Sequence, residues 1–435
     1  MRSIPFTLKI PEAQLEHLRR RLADARWPHP VGENGGWERG VPQDYARRLV
    51  THWRTAFDWR AQEARLNRHP QFISTIDGQD VHYFWARSKE PKALPLMLLH
   101  GWPSCSIEFV GLIDRLTDPV SHGGQPEDAF HVVLPTTPGF GLSSPLSDHW
   151  DAMRTAKAYS ELMRGLGYGA WGLHGGDVGA DIAGEINHID RNLVGVHFST
   201  DVPSIIWLAG FTGADPATNP ALSDTERETI VRLKERGADD GGYLEIQRTR
   251  PRTLGYLLND SPVGQLAWMI EKFKSWTGDG ARLPEEKVDL DHLLTIISLY
   301  WFTMSGATAA DFLCTNLGAQ RDWGRPSFAP VSMAVFGAVS GARTLQDPNR
   351  ELAHWSEFAS GGHFPAMEEP GLLVDDLRAF FRTLRWAGAT SRRHREIAPT
   401  DVGLHYATFD SNESAKALLS ISGQETDGPR HSADG

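Results

Sequence analysis

The amino-terminal part of the chain has helical periodicity. Glu12, Leu15, Leu18 and Leu22 recur at helical spacing, as do Tyr45, Leu49, Trp53 and Phe57, and both sets predict amphipathic helices. Pro28, Pro30, Gly32, Gly35 and Gly36 mark the loop between them. From about residue 70 the pattern shortens to apolar runs at Phe72 to Ile76, Asp80 to Trp85, Leu94 to Leu99, Phe130 to Leu134, Trp171 to Leu173 and Val194 to Phe198. Gly and Pro bound most of these runs and helix-like stretches separate the later ones, which predicts a mostly parallel sheet built in βαβ order. Between about 203 and 318 the alternation stops, and Tyr256 to Trp276 and Leu290 to Thr315 read as helices rich in large apolar residues. A strand pattern returns at Ser332 to Phe336, followed by Gly361-Gly362-His363 and an amphipathic helix over Gly371 to Leu384. A helical block between two sheet-forming segments predicts a lid on an α/β core. The expected organisation is a helical arm at 1–70, core at 71–202, lid at 203–318, core again at 319–390 and a polar tail at 391–435.

Composition narrows the function classes. With 435 residues, 40% hydrophobic and 23% charged, and a mean hydropathy of −0.37, the chain has the profile of a soluble globular protein. No apolar run is long enough for a bilayer, and the amino end lacks the apolar region of a signal peptide, so a cytoplasmic protein without membrane association is expected. A net charge of −11 argues against a nucleic-acid partner, which would demand a basic face. Two cysteines, Cys105 and Cys314, are too few for a disulfide framework. There is no internal repeat, no nucleotide-binding glycine motif, and no metal-ligand spacing among His122, His174, His188 and His197. No cofactor and no metal are expected. A small uncharged molecule fits the charge balance better, and a homodimer is compatible with the sequence.

The strongest local signal is the run from Trp171 to Ala183, WGLHGGDVGADIA. An apolar strand enters Gly-x-Asp-x-Gly and then a helix, the strand–elbow–helix pattern of an α/β-hydrolase nucleophile, with Asp177 at the place of the commoner Ser. A Gly-rich turn with a capping Asp would give the same local string, so the surroundings decide. Upstream, Leu96 to Pro103 reads as a buried strand ending in His-Gly-Trp-Pro, where this fold builds its oxyanion hole, with the Trp102 and Val178 amides as candidate donors. Downstream of the lid, Ser360 to Pro365 presents His363 on a Gly-flanked loop. Nucleophile, lid and histidine follow in the order of that fold. A carboxylate attacking a carbonyl gains little, because the product is an anhydride. Attack on a strained or activated sp³ carbon gives an ester that water can hydrolyse. The reaction class narrows to opening of an epoxide or an alkyl halide.

The chain resembles the microsomal-type epoxide hydrolases over roughly residues 4 to 385. The resemblance rests on Ile4-Pro5-Phe6, on WRTAFDWRAQEARL from Trp53 to Leu66, on Gln71 to Gly78 with His82, and on His100-Gly101-Trp102-Pro103. It continues through Gly175 to Gly179, Gly242 to Gln247, Leu258 to Gly264, Glu271 to Trp276, and GGHFPAMEEP from Gly361 to Pro370. The resemblance implies that Asp177 opens the epoxide while Tyr243, from the lid, protonates the departing oxygen. His363 then activates water, and the Trp102 and Val178 amides hold the oxyanion. Trp207, Leu313 and Phe364 are expected at the substrate pocket, and the lid aromatics, Tyr256, Trp268, Trp276, Tyr300 and Trp301 among them, suggest a bulky apolar or aromatic epoxide.

Three positions depart from the family pattern. Val339 stands where an acid usually orients the histidine, Leu313 where a second lid tyrosine is usual, and Val178 where Trp commonly follows the nucleophile. Asp201, after the strand Val194 to Phe198, is the first candidate for a replacement acid, because related haloalkane dehalogenases can place theirs there. Asp347 is the second candidate. A turn Asp before Val202-Pro203 would need no such role. Two rival functions remain at this stage. One is an altered hydrolase in a biosynthetic pathway that catalyses dehalogenation, another ring-opening or a rearrangement; the other is a degenerate fold that only binds a ligand. Either detoxification or secondary metabolism is compatible with the sequence.

Overall fold

The structure is a computed structural model that describes residues 1–29, 36–211, 218–278, 280–319 and 325–390. The polar tail expected at 391–435 lies outside the described residues. Among the described residues, nine strands form a single sheet: β1 (Ile4–Phe6), β2 (Gln71–Ile76), β3 (Gln79–Ala86), β4 (Leu94–Leu99), β5 (Phe130–Pro135), β6 (Trp171–Gly175), β7 (Leu193–Asp201), β8 (Val331–Phe336) and β9 (His354–Phe358). Their spatial order is β1-β2-β3-β5-β4-β6-β7-β8-β9, antiparallel from β1 to β5 and parallel from β5 to β9. The central strands are continuous apolar runs because helices cover both faces of a parallel sheet. In β4, Leu96, Met97, Leu98 and Leu99 are all fully buried.

The lid is inserted between β7 and β8, yet these strands pair directly, from Val196 with Val331 to Asp201 with Phe336. The insertion therefore leaves the core sheet intact and rises from the carboxyl ends of the strands. Its helices are Val202–Phe211, Asp224–Gly237, Gly242–Thr249, Pro251–Asp260, Pro262–Trp276, Leu290–Thr303 and Ser305–Gly318. Among the described residues no single helix is long and apolar enough to cross a membrane.

Three elements differ from the sequence pattern for identifiable reasons. The arm is not wholly helical, because Ile4–Phe6 adds an edge strand to β2, and Pro5 is tolerated on an edge where no neighbour needs its missing N–H. The helix expected over Tyr256 to Trp276 is two helices. Ser261, extended before Pro262, caps the second by accepting from the Gly264 amide at 3.0 Å. The helix expected over Leu290 to Thr315 bends by 89° at Met304, whose φ is +52°. The arm helices Glu12–Ala23 and Gln43–Thr55 pack on the lid helix Pro262–Trp276 rather than on the sheet. Trp53, buried there, donates its indole N–H to Ser298 Oγ at 2.9 Å, and the Tyr45 hydroxyl donates to Glu285 Oε2 at 2.8 Å. The arm thus fastens the lid over the strand ends.

Candidate active site

The open end of a parallel α/β sheet is where loops from several strands converge. The loop after β6 makes the sharpest turn there. Asp177 has φ +52° and ψ −128° and stands immediately before the helix Val178–Ile189. A non-glycine residue in that region stores about 1–3 kcal/mol of strain, which the surrounding packing must offset. The packing is tight: a Cβ on Gly179 would run into the Leu99 carbonyl, and one on Gly101 into the Asp177 carboxylate. The result is a side chain pushed off the sheet, 30% exposed, onto the floor of the space below the lid. Asp177 Oδ1 accepts from the Trp102 amide at 2.8 Å, and the Val178 amide also donates to this carboxylate.

His363 approaches from the loop that follows β9. Its backbone N–H donates to the Trp276 carbonyl at 2.9 Å, which ties the loop to the lid, and its ring lies 4.9 Å from the Trp276 ring. The imidazole lies between two carboxylates. Nε2 is 3.6 Å from Asp177 Oδ2, a charge contact rather than a hydrogen bond, and Nδ1 is 3.2 Å from Asp201 Oδ2. Asp201 uses its other oxygen to accept from the Ser204 amide at 2.8 Å, so it caps the first lid helix and faces the histidine at once. Enclosure pushes His363 toward the neutral form, but Asp177 and Asp201 outweigh it and raise its pKa well above the usual histidine range. The same pairing acts on the acids: enclosure pushes both carboxyls up, yet His363 and the nearby amides hold them below their ordinary values.

Tyr243, on the helix Gly242–Thr249, forms the roof. Its ring stacks on Trp102 at 5.2 Å and 10° and meets Trp276 edge-on at 5.3 Å. Enclosure first, then the Asp177 charge, raises its phenol well above the usual value, so the hydroxyl keeps its proton. Phe364 is buried at the wall of a small cavity beside Asp177 and His363. Leu313 is buried in the helix Ser305–Gly318 but does not line that cavity. The Trp207 side chain lies outside the described residues. Tyr256, expected among the lid aromatics near the substrate, is instead 81% exposed. Asp347 does not serve the histidine: it pairs with Arg343 at 3.0 Å and accepts from the Glu351 amide at 2.7 Å. Val339 is half-buried on the segment after β8.

Glu108 and Ser199, which carry no signal in the sequence pattern, line the same cavity. Of the lid aromatics, Trp276 lies tilted against the imidazole at 47°, and the Tyr300 hydroxyl donates to the Ser104 carbonyl at 2.7 Å, anchoring the loop that bears Trp102. His174 and His197 face each other at 3.0 Å, and His197 reaches Asp376 at 2.8 Å, in a buried network separate from the site. Among the described residues no group of three or more His, Cys, Asp or Glu side chains could hold a metal ion.

A mostly parallel sheet, a strained acidic elbow, converging amides and a lid between β7 and β8 define an α/β-hydrolase. The family model "Epoxide hydrolase N terminus" matches residues 3–109. The chain is 41% identical over 386 residues to the "Putative epoxide hydrolase" of Stigmatella aurantiaca, covering 88% of this chain and 85% of that one. It is 32% identical over 403 residues to Epoxide hydrolase 1 of Sus scrofa, covering 87% and 88%. The solved epoxide hydrolase of Aspergillus niger superposes with a TM-score of 0.73 at 28% identity, over 88% of this chain and 97% of that one. The juvenile hormone epoxide hydrolase of Bombyx mori gives 0.77 at 25% identity, over 89% and 96%. The chain belongs to the microsomal-type epoxide hydrolases and is an epoxide-hydrolysing enzyme.

Proposed function

We propose that this enzyme opens bulky apolar or aromatic epoxides through an ester on Asp177. The observation that carries the reading is the Asp177 carboxylate held between the Trp102 amide and His363. Oδ2 attacks an epoxide carbon, the C–O bond of the ring breaks, and the departing oxygen takes a proton from Tyr243. Water then attacks Cγ of the ester, with His363 Nε2 as base and the Trp102 and Val178 amides supporting the oxyanion. Asp201 orients the imidazole through Nδ1. Trp102, Tyr243, Trp276 and Phe364 supply the aromatic surface that favours a bulky substrate.

Electrostatics couples the two steps. While Asp177 is ionised, its charge helps hold a proton on His363. Ester formation removes that charge, so the imidazole can release its proton and act as a base. The hydrolytic step is therefore expected to slow as pH falls and His363 stays protonated.

A single turnover of aryl and alkyl epoxides in ¹⁸O-labelled water tests the reading. Label is expected in the Asp177 carboxylate of the digested protein, with unlabelled diol. Label in the diol alone would point to direct attack by water and overturn the ester.

Tyr243→Phe is expected to slow ester formation by about 10²-fold, the lower range for loss of a general acid, while leaving ester hydrolysis near its original rate. Single-turnover kinetics separates the two steps, and unchanged ester formation would remove Tyr243 from the proton transfer.

A further inference from the structure

Beside the Asp177 elbow lies a small cavity of about 10 Å³, close to the roughly 10–15 Å³ that one water needs in this measure. His100, Asp177, His363, Ser199 and Glu108 line its polar side, and Phe109 and Phe364 its apolar side. Asp177 and His363 carry the chemistry, Ser199 lies on β7, and the His100 ring is taken up by the Gly101 carbonyl and the Thr137 amide. Glu108 has no part in the steps above. It sits on the short 3₁₀ segment Ser106–Leu112, is 8% exposed, and has the Ser104 hydroxyl beside its carboxyl. Among the described residues it has no Lys or Arg ion pair. An enclosed carboxyl without a paired Lys or Arg costs stability, and an apolar residue would fill the same wall without that cost.

We propose that Glu108 holds the water that hydrolyses the Asp177 ester, accepting one of its O–H bonds while His363 Nε2 accepts the other. The proposal rests on the ester reading above. In the step itself, the water oxygen forms a bond to Asp177 Cγ as one proton passes to His363 Nε2. The carbonyl electron pair moves onto the oxygen held by the Trp102 amide, then returns as the bond from Cγ to the alkoxy oxygen breaks. That oxygen recovers the proton from His363 and leaves as the diol. The second proton of the water stays on the new carboxyl oxygen until Asp177 re-ionises, and Glu108 accepts a hydrogen bond from it without taking it.

The charges around Glu108 set when it can do this. Burial pushes its carboxyl up to about 7; Asp177 and Glu368 act in the same direction, and the Ser104 hydroxyl and His363 oppose them. Conversion of Asp177 to a neutral ester removes one of the repelling charges and favours the ionised, accepting form. Tyr300 fixes the Ser104 carbonyl from the lid, two residues before the 3₁₀ segment that carries Glu108.

Glu108→Gln in the full chain tests the proposal, because it keeps the shape and removes the charge. Ester hydrolysis in single turnover is expected to fall about 10²-fold. Ester formation is expected to stay within about threefold, with trapped ester on Asp177 visible by mass spectrometry. The pH profile of hydrolysis is expected to lose the limb that belongs to Glu108 and keep that of His363. An unchanged hydrolysis rate and pH profile would overturn the proposal, as would both steps falling together with the melting temperature, which would mean a packing role. If the Gln variant does not fold, Ser104→Ala, which frees the carboxyl without replacing it, is read on the same two steps and the same limb. Label from ¹⁸O-water in the diol alone, with the unsubstituted enzyme, would overturn the ester reading itself, a result distinct from an ester that forms and turns over normally without Glu108.

Discussion

Replacing His363 with Gln is expected to turn the enzyme into a stoichiometric reagent that consumes one equivalent of epoxide and stops. Asp177 would keep the Trp102 and Val178 amides and its strained elbow, so the nucleophile remains aimed. What is lost is the base 3.6 Å away that would activate water. Steady-state diol formation should fall by on the order of 10⁴–10⁶, the scale seen when a base is removed from a cooperating catalytic set. The Gln side chain also removes the cation that lowers the Asp177 pKa, so ester formation should require a somewhat higher pH than in the unsubstituted enzyme. Intact-protein mass spectrometry after mixing with an aryl epoxide checks this: the mass should rise by one substrate, and the adduct should map to the peptide containing Asp177. Diol formation near the original rate would remove His363 from the hydrolytic step. Loss of both adduct and diol would mean that the imidazole is needed to open the ring.

Much of this architecture follows from local pattern. Runs such as Leu96 to Leu99 are enclosed on both faces and read directly as parallel strands, whereas Ile4–Phe6 and His354–Phe358 lie at the two edges of the sheet, where partial exposure erases the apolar run. The break at Ser261-Pro262 had its turn chemistry in view and was hidden only by the helical residues on either side. The bend at Met304 had none, because a left-handed Met is imposed by the packing of the two helices it joins.

The site divides in the same way. Asp177, Trp102 and His363 sit in glycine-bearing loops, and close backbone approach at Gly101 and Gly179 writes that geometry into the string. Tyr243 comes from the middle of a lid helix, where nothing in its spacing separates a catalytic phenol from a packing ring. Glu108 is harder still, since its neighbours in space come from the loop after β6, from β7 and from the loop after β9. Among the described residues the second lid tyrosine is not replaced in kind. Tyr300 is close enough to Asp177 for that charge to raise its phenol further, but its hydroxyl is committed to the Ser104 carbonyl. In the proposed mechanism ring opening relies on Tyr243, and a single Tyr243→Phe substitution tests the proton donor.

Asp201→Asn is expected to leave ring opening nearly intact and to slow ester hydrolysis by roughly 10⁴-fold, as when the acid of a catalytic triad becomes an amide. The choice of Asn over Ala matters because Asp201 has two duties. The oxygen that accepts from the Ser204 amide at 2.8 Å caps the helix Val202–Phe211, and an amide oxygen can keep that cap, whereas Ala would forfeit about 1 kcal/mol of stability. The oxygen facing His363 Nδ1 at 3.2 Å accepts a hydrogen bond from the ring N–H, whereas an NH₂ group there would donate one. The imidazole would then carry its proton on Nε2, the wrong tautomer for a base facing the ester. Sheet register explains why an acid can act from this strand at all. Asp201 pairs with Phe336, so the end of β7 lies alongside the start of the segment that leads to Val339, and either strand end can reach the histidine loop. Trapped ester on Asp177, with a melting temperature close to that of the unsubstituted enzyme, is the expected result. Normal turnover in Asp201→Asn would reduce Asp201 to a helix cap and leave His363 without a carboxylate partner on Nδ1.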